Sequence, residues 1–497
     1  MFQFTSTTAA RKGRGLRFGW AIGIVSLLLV TVSAQATNWY VDNTATGANN
    51  GTSWTNAWQS LLSISGVHPG DTVYISGGLI SQTYVVGSWE PVGGTTGNPV
   101  YYRVGVDAGH SGTVNFTPDQ SKAQNGNTNW LYPLDNNMHD VDVSGNVGGQ
   151  NHMVVEGYTA AAVLDGAATN VSVRYVISHN VFRAYNVSGV EFDHLILGPN
   201  NGIDRQILGP QNSAANYKLN SIHDCTIYAY YQHGVNSMGG NGDDFIGNAG
   251  SCWIYHNNFI GVYAGSGNSY TYSQHMDGIQ SGWSYVWMDS NYFENCANSC
   301  IYADMRGGGD HWIITNNVCN YTDSALAPNG CIVFGDNTGV GLISNMVIAN
   351  NTCYGSVNGI GDASPNTFSN LQIINNLCVN TSGIYLLGNN GDNTTGVTML
   401  SNKCIGGAIN PQNTQAPANN NPPTFVNPNA SYPSANFRLA PTDTGATANG
   451  TNVLASVFNY DGDGNPRPAG SWSLGAYEYG GSSRPVTPNN LHVLPGS

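Results

Sequence analysis

The sequence predicts an all-β fold in which short parallel strands stack into a β-solenoid. Three observations lead to this prediction: a repeat of 25 to 34 residues, an asparagine at one fixed place in each repeat, and a composition poor in helix formers. Only 9% of the 497 residues are charged and 63 are glycine, whereas helical domains are rich in Glu, Lys, Leu and Ala. Residues that favour strands and turns, such as Thr, Tyr, Asn and Gly, take their place.

The repeat is carried by six similar segments, each with a strand pattern and an asparagine. They read WIYHNNFI, VWMDSNYFE, IITNNVCN, VIANNTCYG, QIINNLCVN and MLSNKCIG. Their asparagines are Asn257, Asn291, Asn317, Asn351, Asn376 and Asn402, spaced by 34, 26, 34, 25 and 26 residues. Stacked side-chain amides at a coil corner can hydrogen-bond along the stack and satisfy backbone groups where the chain turns. We therefore expect an asparagine ladder along one corner.

An interior column is expected two residues after each asparagine. It reads Phe259, Phe293, Cys319, Cys353, Cys378 and Cys404. Buried packing explains these cysteines better than a metal site, because a one-dimensional row of side chains does not surround an ion. Side chains in register also fit disulfide geometry poorly. We expect mostly reduced thiols among the nine cysteines.

A second strand, in which an apolar residue stands at the centre, precedes each ladder segment. These strands read HGVNSM, DGIQSG, SCIYAD, GCIVFG, NGIGDA and SGIYLL. Two strand patterns per repeat with no helix between them predict coils of a solenoid rather than β-α-β units. The residue after the central apolar one should point outward, and this outer column reads Asn236, Gln280, Tyr302, Val333, Gly361 and Tyr385. If NNGIDRQ is the preceding coil, Asp204 and Gln206 extend the same face.

The N-terminal residues predict secretion. Four basic residues between Arg11 and Arg17 precede an apolar run and the small-residue motif AQA, so we interpret residues 1–36 as a removed signal peptide. A retained membrane anchor is the alternative. Without those four residues the chain has 11 basic and 29 acidic residues, a net charge of about −18. Nucleic acid is then not expected as a partner, because phosphate binding needs a basic surface, and no membrane contact is expected after cleavage.

Three stretches resemble a known superfamily. NWYVDNTATGANNGTSWTNAWQSL with HPGDTVYISGG follows the leader, the asparagine coils come next, and NYDGDGNPRPAGSWSLGAYEYG lies near the end. Together they resemble the secreted bacterial right-handed parallel β-helix proteins of the pectate lyase-like superfamily. The resemblance implies a right-handed parallel β-helix with an N-terminal cap and a C-terminal closing segment. It specifies no reaction, because this scaffold hosts several.

Five segments are expected along the chain. They are the signal peptide at 1–36, the N-terminal cap and first coils at 37–150, the β-helix coils at 151–407, the closing segment at 408–480 and a flexible tail at 481–497. An Asn- and Pro-rich stretch at 411–433 breaks the repeat before the closing segment. We expect a secreted monomer.

Polar and aromatic residues concentrate in loops beside a few central coils. The loops carry Asp243 and Asp244, Tyr270 and Tyr272, and Arg306, Asp310 and His311. In a solenoid, function belongs to outward side chains and adjoining loops, and aromatic rings with hydrogen-bonding groups suit an extended sugar chain. The expected partner is therefore an extracellular polysaccharide. The expected sugar contacts are Asp204, Asn236, Gln280, Tyr270, Tyr272, Asp310 and His311.

Polysaccharide β-elimination fits the central residues best. A lyase must neutralise a uronate carboxylate, remove the adjacent proton and protonate the leaving oxygen. Arg306, or calcium held by Asp277, Asp304 or the pair Asp243 and Asp244, would serve the first step. His275, Tyr302 or His311 would act as base or acid. The expected catalytic residues are His275, Asp277, Tyr302, Asp304 and Arg306. The superfamily's lyases commonly use lysine or arginine as base, and only Arg205, Lys218 and Arg306 are expected near the cleft.

Three alternatives stay open. A glycoside hydrolase needs two carboxyl groups, which Asp277 and Asp304 on adjacent coils would supply. A glycan-binding or adhesin β-helix would need no catalyst. In the third alternative DGIQ is structural, with Asp277 capping a turn and Gly278 at positive φ. His223 and His256 lie in the ladder strands and are expected to be wall or corner residues.

Overall fold

The chain is a right-handed parallel β-helix, which confirms the predicted fold class. The computed structural model describes residues 36–122, 127–132, 138–166, 168–199, 206–231, 244–264, 276–304, 309–326, 328–335, 342–355, 358–362, 367–385, 395–409, 413–414, 417 and 419–481. The helices of this part are two short 3-10 turns, Leu61–Ser63 and Gln120–Lys122. Across the described ranges, none is long and apolar enough to cross a membrane.

Three long sheets, named A, B and C, form the walls of the β-helix, and successive strands within each sheet are parallel. Sheet A contains Asn38–Val41, Thr72–Ile75, Val100–Val104, His139–Ser144, Thr169–Arg174, Glu191–Asp193, Asn220–His223, Cys252–Tyr255, Val286–Asp289, Gly309–Thr315, Leu342–Ala349, Thr367–Ile374, Val397–Leu400 and Asn413–Thr414. Sheet B contains Ser81–Val86, Thr113–Pro118, Met153–Val155, Val176–Ser178, Ile196–Leu197, Thr226–Tyr231, Asn258–Tyr263, Tyr292–Glu294, Val318–Asn320, Thr352–Tyr354, Leu377–Val379 and Lys403–Ile405. Sheet C contains Asn129–Leu131, Ala160–Leu164, Phe182–Tyr185, Ile207–Gln211, Ile246–Gly247, Asp277–Ser281, Ser299–Asp304, Gly330–Gly335, Ile360–Asp362, Gly383–Tyr385 and Ala408–Ile409. Two antiparallel pairs lie outside these walls: Asn146–Val147 with Gln150–Asn151, and Phe425–Asn427 with Asn436–Leu439.

A typical coil has three strands, where the sequence predicted two. Each ladder segment holds a strand of sheet A and a strand of sheet B, separated by a sharp corner. The residue before the ladder asparagine makes this corner with a left-handed backbone, with φ between 53° and 58° for all six segments. Asparagine tolerates this conformation better than most residues. This explains why three segments have a second asparagine directly before the ladder asparagine: Asn316, Asn350 and Asn375 turn the chain, and the next residue joins the ladder.

The predicted asparagine ladder runs along the corner between sheets A and B. Each Nδ2 donates to the Oδ1 of the next ladder asparagine at 2.9 to 3.0 Å. Each accepting Oδ1 also binds a backbone N–H of the preceding asparagine. The ladder extends one rung beyond the prediction, to Asn413. All six predicted members are buried, so their amides replace water for the corner backbone.

The interior column is also in the predicted register, from Phe259 to Cys404. The rings of Phe259 and Phe293 stack at 4.6 Å with an angle of 9°. The nine cysteines are reduced, and eight are buried. The expectation of a one-dimensional sulfur row was wrong, because Cys331 of sheet C reaches across the interior. Its Sγ and those of Cys319 and Cys353 lie within 4.8 Å of one another.

The C-terminal residues 419–481 pack against the outer faces of sheets A and B. One apolar cluster joins Phe425, Phe437, Leu439 and Leu474 to Val318, Leu377 and Val379 of sheet B. Another joins Leu454, Phe458 and Trp472 to Trp287, Val347 and Ile374 of sheet A. The buried Arg467 fixes this segment to the ladder corner by donating to Asn316 Oδ1 at 2.8 Å. Neither cluster includes a residue of sheet C among the described ranges.

Candidate functional site on sheet C

The outer column predicted for sheet C is present from Gln280 onward. Gln280 pairs with Tyr302, Tyr302 with Val333, Val333 with Gly361, and Gly361 with Tyr385. Alternation along the strands places Gln280, Tyr302, Val333 and Gly361 on the face opposite the buried isoleucines that begin with Ile279. The sequence therefore located the strands and their outward positions correctly in this part of the β-helix.

The upstream end of the predicted column was wrong. Ile246 and Gly247 precede Ile279 and Gln280, so HGVNSM is not the neighbouring strand. One coil earlier the same positions hold Ile207 and Leu208, and Gln206 is buried. HGV and FIG both combine glycine with an apolar residue, so the residue pattern alone does not distinguish them. The outward residue before Gln280 is consequently a glycine.

Gln280, Tyr302 and Asp304 form the polar cluster of this face. Gln280 Nε2 donates to Asp304 Oδ2 at 3.3 Å across the two strands. Gln280 and Asp304 are each 8% exposed and Tyr302 is 4% exposed, so all three side chains are largely removed from water. A carboxylate, a phenol and an amide held together at low exposure can bind sugar hydroxyls and move a proton.

Asp277 lies at the other end of its strand, in a separate environment. Asn298 Nδ2 donates to its two carboxyl oxygens at 2.9 and 3.1 Å, and its backbone N–H donates to Asp244 Oδ1 at 3.3 Å. Asp277 and Asp244 are both fully buried. Burial, followed by the neighbouring Asp244 carboxylate, raises the pKa of Asp277 well above its ordinary value. Both effects favour the protonated form of the Asp277 carboxyl group.

The pairing of Asp277 with Asp304 expected for a hydrolase was wrong. Asp277 pairs with Ser299, and Asp304 stands five residues further along that strand. At about 3.3 Å per residue the two positions are roughly 16 Å apart along the sheet, beyond the roughly 5 to 9.5 Å between paired glycosidase carboxyl groups. These two aspartates cannot flank one glycosidic bond.

The structural alternative for DGIQ, a turn with Gly278 at positive φ, was also wrong. Residues Asp277–Ser281 form a strand, and Gly278 is absent from the glycines with positive φ. Gly278 is required for close packing instead. A Cβ atom there would lie 2.3 Å from the carbonyl oxygen of Cys300 and 2.5 Å from Phe293.

Asp310 and His311 lie around a corner from this cluster, on sheet A. Asp310 accepts hydrogen bonds from Ser344 Oγ at 2.8 Å and Asn345 Nδ2 at 2.9 Å, and it also contacts His311. Burial acts to raise its pKa, but the hydrogen bonds from Asn345 and Ser344 bring it below the ordinary value. The His311 ring stacks on Tyr285 at 4.4 Å. Their sugar contact stays a prediction.

Lys218 was expected near the cleft, but its side chain contacts two tryptophans of sheet A instead. Its Nζ sits 4.1 Å from the Trp253 ring centre and 5.1 Å from that of Trp287. This cation–π contact accounts for the lysine and removes it from the set of bases for sheet C.

Several predicted site residues fall outside the described residues. They are Asp204, Asn236, Asp243, Tyr270, Tyr272, His275 and Arg306, together with Arg205 and residues 1–35 of the expected signal peptide. Their roles stay predictions.

The described residues around Asp244 do not form a calcium site. Calcium takes about six to eight oxygen ligands, whereas Asp277 faces the amide nitrogen of Asn298 and Asn298 Oδ1 is used by Asn329. Two carboxyl groups with that neighbour suit a shared proton better than a cation. Calcium is therefore assigned no step in the reaction.

Sequence reasoning missed one charged cluster, at the corner between sheets A and B. His223 lies between Glu191, Asp193 and Asp224, with ring nitrogens 3.0 to 3.2 Å from carboxylate oxygens. Burial lowers its pKa, but Asp224 and Glu191 outweigh burial and raise the pKa to about 9. The hydrogen bond from His223 in turn lowers the pKa of Glu191 to about 2. The available signal in the sequence was a neighbouring Asp and His at two places thirty residues apart, at 193–194 and 223–224.

Comparisons with known proteins concern the fold. No family model matches the sequence, and no curated protein matches it. Among solved structures, pectate lyase Pel9A is similar over 90% of this chain and 97% of its own, with 14% identity and a TM-score of 0.42. A rhamnogalacturonan lyase is similar over 68% of this chain and 87% of its own, with 12% identity and a TM-score of 0.40. PfbA, a surface adhesin of Streptococcus pneumoniae, is similar over 64% of this chain and 85% of its own, with 13% identity and a TM-score of 0.36.

Proposed function

We propose that the protein is a secreted, monomeric polysaccharide lyase that binds an acidic glycan along the outer face of sheet C. The observation that carries this proposal is the arrangement of the three faces. The C-terminal clusters pack on sheets A and B, while Gln280, Tyr302 and Asp304 share the outer face of sheet C. An extended polymer needs a long face with polar groups in fixed register, and a stack of parallel strands supplies one.

The proposed reaction is β-elimination at a uronate residue. A base removes the proton next to the carboxylate, the electron pair forms a carbon–carbon double bond, and the glycosidic bond breaks as its oxygen is protonated. Tyr302 is assigned a proton-transfer role, and Gln280 orients Asp304 toward sugar hydroxyls. His275 is proposed as the second proton-transfer group and Arg306 as the counter-ion of the uronate. Asp277 is proposed as a buried acid beneath the face, because burial raises its pKa. Asp204, Asn236, Tyr270, Tyr272, Asp310 and His311 are proposed as sugar contacts.

The test is a panel of polyuronates incubated with the protein, with and without chelator, while absorbance of the unsaturated product is followed. Tyr302→Phe is expected to lower kcat about 10²- to 10⁴-fold, as for loss of a proton-transfer group. Tyr74→Phe, on a sheet A strand, is the matched control and should leave kcat unchanged. A chelator-sensitive rate would contradict the shared proton assigned to Asp244 and Asp277, and would favour the calcium ion that the sequence predicts at Asp243 and Asp244.

Other outcomes contradict the proposal in different ways. New reducing ends without ultraviolet absorbance would show hydrolysis, which would require carboxyl groups other than the Asp277 and Asp304 pair. Glycan retention without any product, unchanged by Tyr302→Phe, would show a binding protein. Wild-type activity in Tyr302→Phe would remove the assigned role of the phenol.

A further inference from the structure

The charged corner around His223 has the arrangement of a metal site. Asp193 and His223 are partners in the register of adjacent strands, and Asp224 follows His223 at the turn. His223 Nδ1 lies 3.2 Å from Asp193 Oδ1 and 3.0 Å from Asp224 Oδ2. One ligand atom from each of the three residues lies within 4.8 Å of the others. Ligand atoms around an ion with bonds of about 2.0 Å lie roughly 3.3 Å apart in tetrahedral geometry, close to the two distances from Nδ1.

The Nε2 atom of His223 faces a carboxylate, as the second ring nitrogen of a metal-binding histidine commonly does. Nε2 lies 3.2 Å from Glu191 Oε1. Glu191 is itself fixed by Ser172 Oγ at 2.9 Å and by Arg174 at 3.2 Å. A carboxylate on the far nitrogen sets the tautomer, so that the other nitrogen presents its lone pair, and it makes the imidazole a stronger donor.

Aromatic rings fix the orientation of both histidines at this corner. Tyr255 stacks on His223 at 4.6 Å with an angle of 12°, and Tyr175 stacks on His194 at 4.4 Å with an angle of 14°. His194 contacts the Asp193 carboxylate through Nδ1. The His194 side chain is 23% exposed and that of Asp224 is 19% exposed, so an ion can enter from solvent.

The local charge also favours a divalent cation. Glu191, Asp193 and Asp224 contribute three negative charges against the one positive charge of Arg174, and a divalent ion would displace the second ring proton of His223, which now offsets part of this excess. An ion of charge +2 balances this excess.

We propose that Asp193, His223 and Asp224 bind a divalent first-row transition-metal ion such as Zn²⁺, with Glu191 positioning His223. The imidazole donor selects this class, because Ca²⁺ and Mg²⁺ take oxygen ligands. The ion ties two successive coils together at the corner between sheets A and B. This site is separate from the glycan face on sheet C and does not depend on the proposed lyase activity.

The test uses the full chain, stripped of metal by a chelator and then titrated with Zn²⁺ and with Co²⁺. One ion per chain should bind, and the Co²⁺ spectrum should show ligand-field bands without thiolate charge transfer. His223→Gln should abolish binding, and Glu191→Gln should weaken it about 10- to 100-fold. His179→Gln is the matched control: His179 pairs with Glu156 at 3.0 Å, two coils before His223, and its replacement should leave the affinity unchanged.

Three results would overturn the proposal. One is a chain that binds no ion at stoichiometric Zn²⁺. A second is a Co²⁺ spectrum with thiolate charge transfer, which would place the ion at Cys319, Cys331 and Cys353. The third is unchanged affinity in His223→Gln or, should that variant fail to fold, in Asp224→Asn.

Discussion

Replacing Asn317 by alanine removes the central rung of the buried ladder. Its Oδ1 accepts from the N–H and the Nδ2 of Asn291, both at 3.0 Å, and its Nδ2 donates to Met288 O and Asn351 Oδ1, both at 3.0 Å. Alanine leaves two donors of Asn291 and the carbonyl of Met288 without this partner. At about 1 to 2 kcal/mol for each buried group, Asn317→Ala should lower the free energy of unfolding by about 3 to 6 kcal/mol.

This loss corresponds to a measurable fall in melting temperature. An unfolding entropy of about 2.1 cal/mol/K per residue gives about 1 kcal/mol/K for a unit of roughly 450 residues, so Tm should fall by roughly 3 to 6 °C in differential scanning calorimetry. Asn427→Ala is the matched control, because Asn427 is exposed and its hydrogen bond to Ser434 O, at 3.1 Å, lies at the surface, where water can replace it. A fall below about 1 °C for Asn317→Ala, or an equal fall for Asn427→Ala, would refute the energetic role assigned to the buried amides.

Three further predictions concern other buried groups. Burial raises the pKa of Asp289 to about 6. A carboxyl group whose pKa is raised in the folded state favours folding at low pH. The free energy of unfolding should therefore fall by up to about 3 kcal/mol as the pH rises from about 4 to about 6. Denaturant titrations against pH should show this fall, and Asp289→Asn should abolish it. Gly278→Ala should cost at least about 1 to 3 kcal/mol through the 2.3 Å clash with Cys300 O, whereas Gly470→Ala, with no atom within 4 Å of its Cβ position, should melt like the parent protein. A thiol reagent should leave the eight buried cysteines unmodified in the native protein and modify all nine after unfolding; rapid native reaction of more than one thiol would contradict the described core.

The repetitive part of the fold could be predicted because each coil repeats the same physical problem. Every corner between sheets A and B must satisfy buried backbone groups, and Asn291, Asn317 and Asn351 solve it with the same amide geometry. The interior column followed for the same reason, since a position two residues later always faces inward. Cys331 escaped prediction because it approaches the column from another wall, a distance that spacing along the chain does not encode.

The candidate site on sheet C was less predictable because it depends on which residues of each coil form the sheet C strand. FIG rather than HGV supplies the strand that pairs with DGIQ, and this difference changes which residue lies beside Gln280. The same limitation applied to Asp277 and Asp304. They lie on adjacent coils, but at opposite ends of their strands. The cluster at His223 was overlooked because its residues look like ordinary polar wall positions until adjacent coils are superposed.

The contact between Arg467 and Asn316 joins residues 151 positions apart in sequence. Contacts of such long range form slowly, because a large loop must close before they contribute. In a stack held only by neighbouring coils, the terminal coil can open by itself, as in other repeat proteins. Here residues 419–481 pack across several coils. The coils beneath them can therefore open only after this segment is released. The apolar surfaces of sheets A and B also stay exposed until residues 419–481 pack on them, and the chain is most prone to aggregation before this packing occurs.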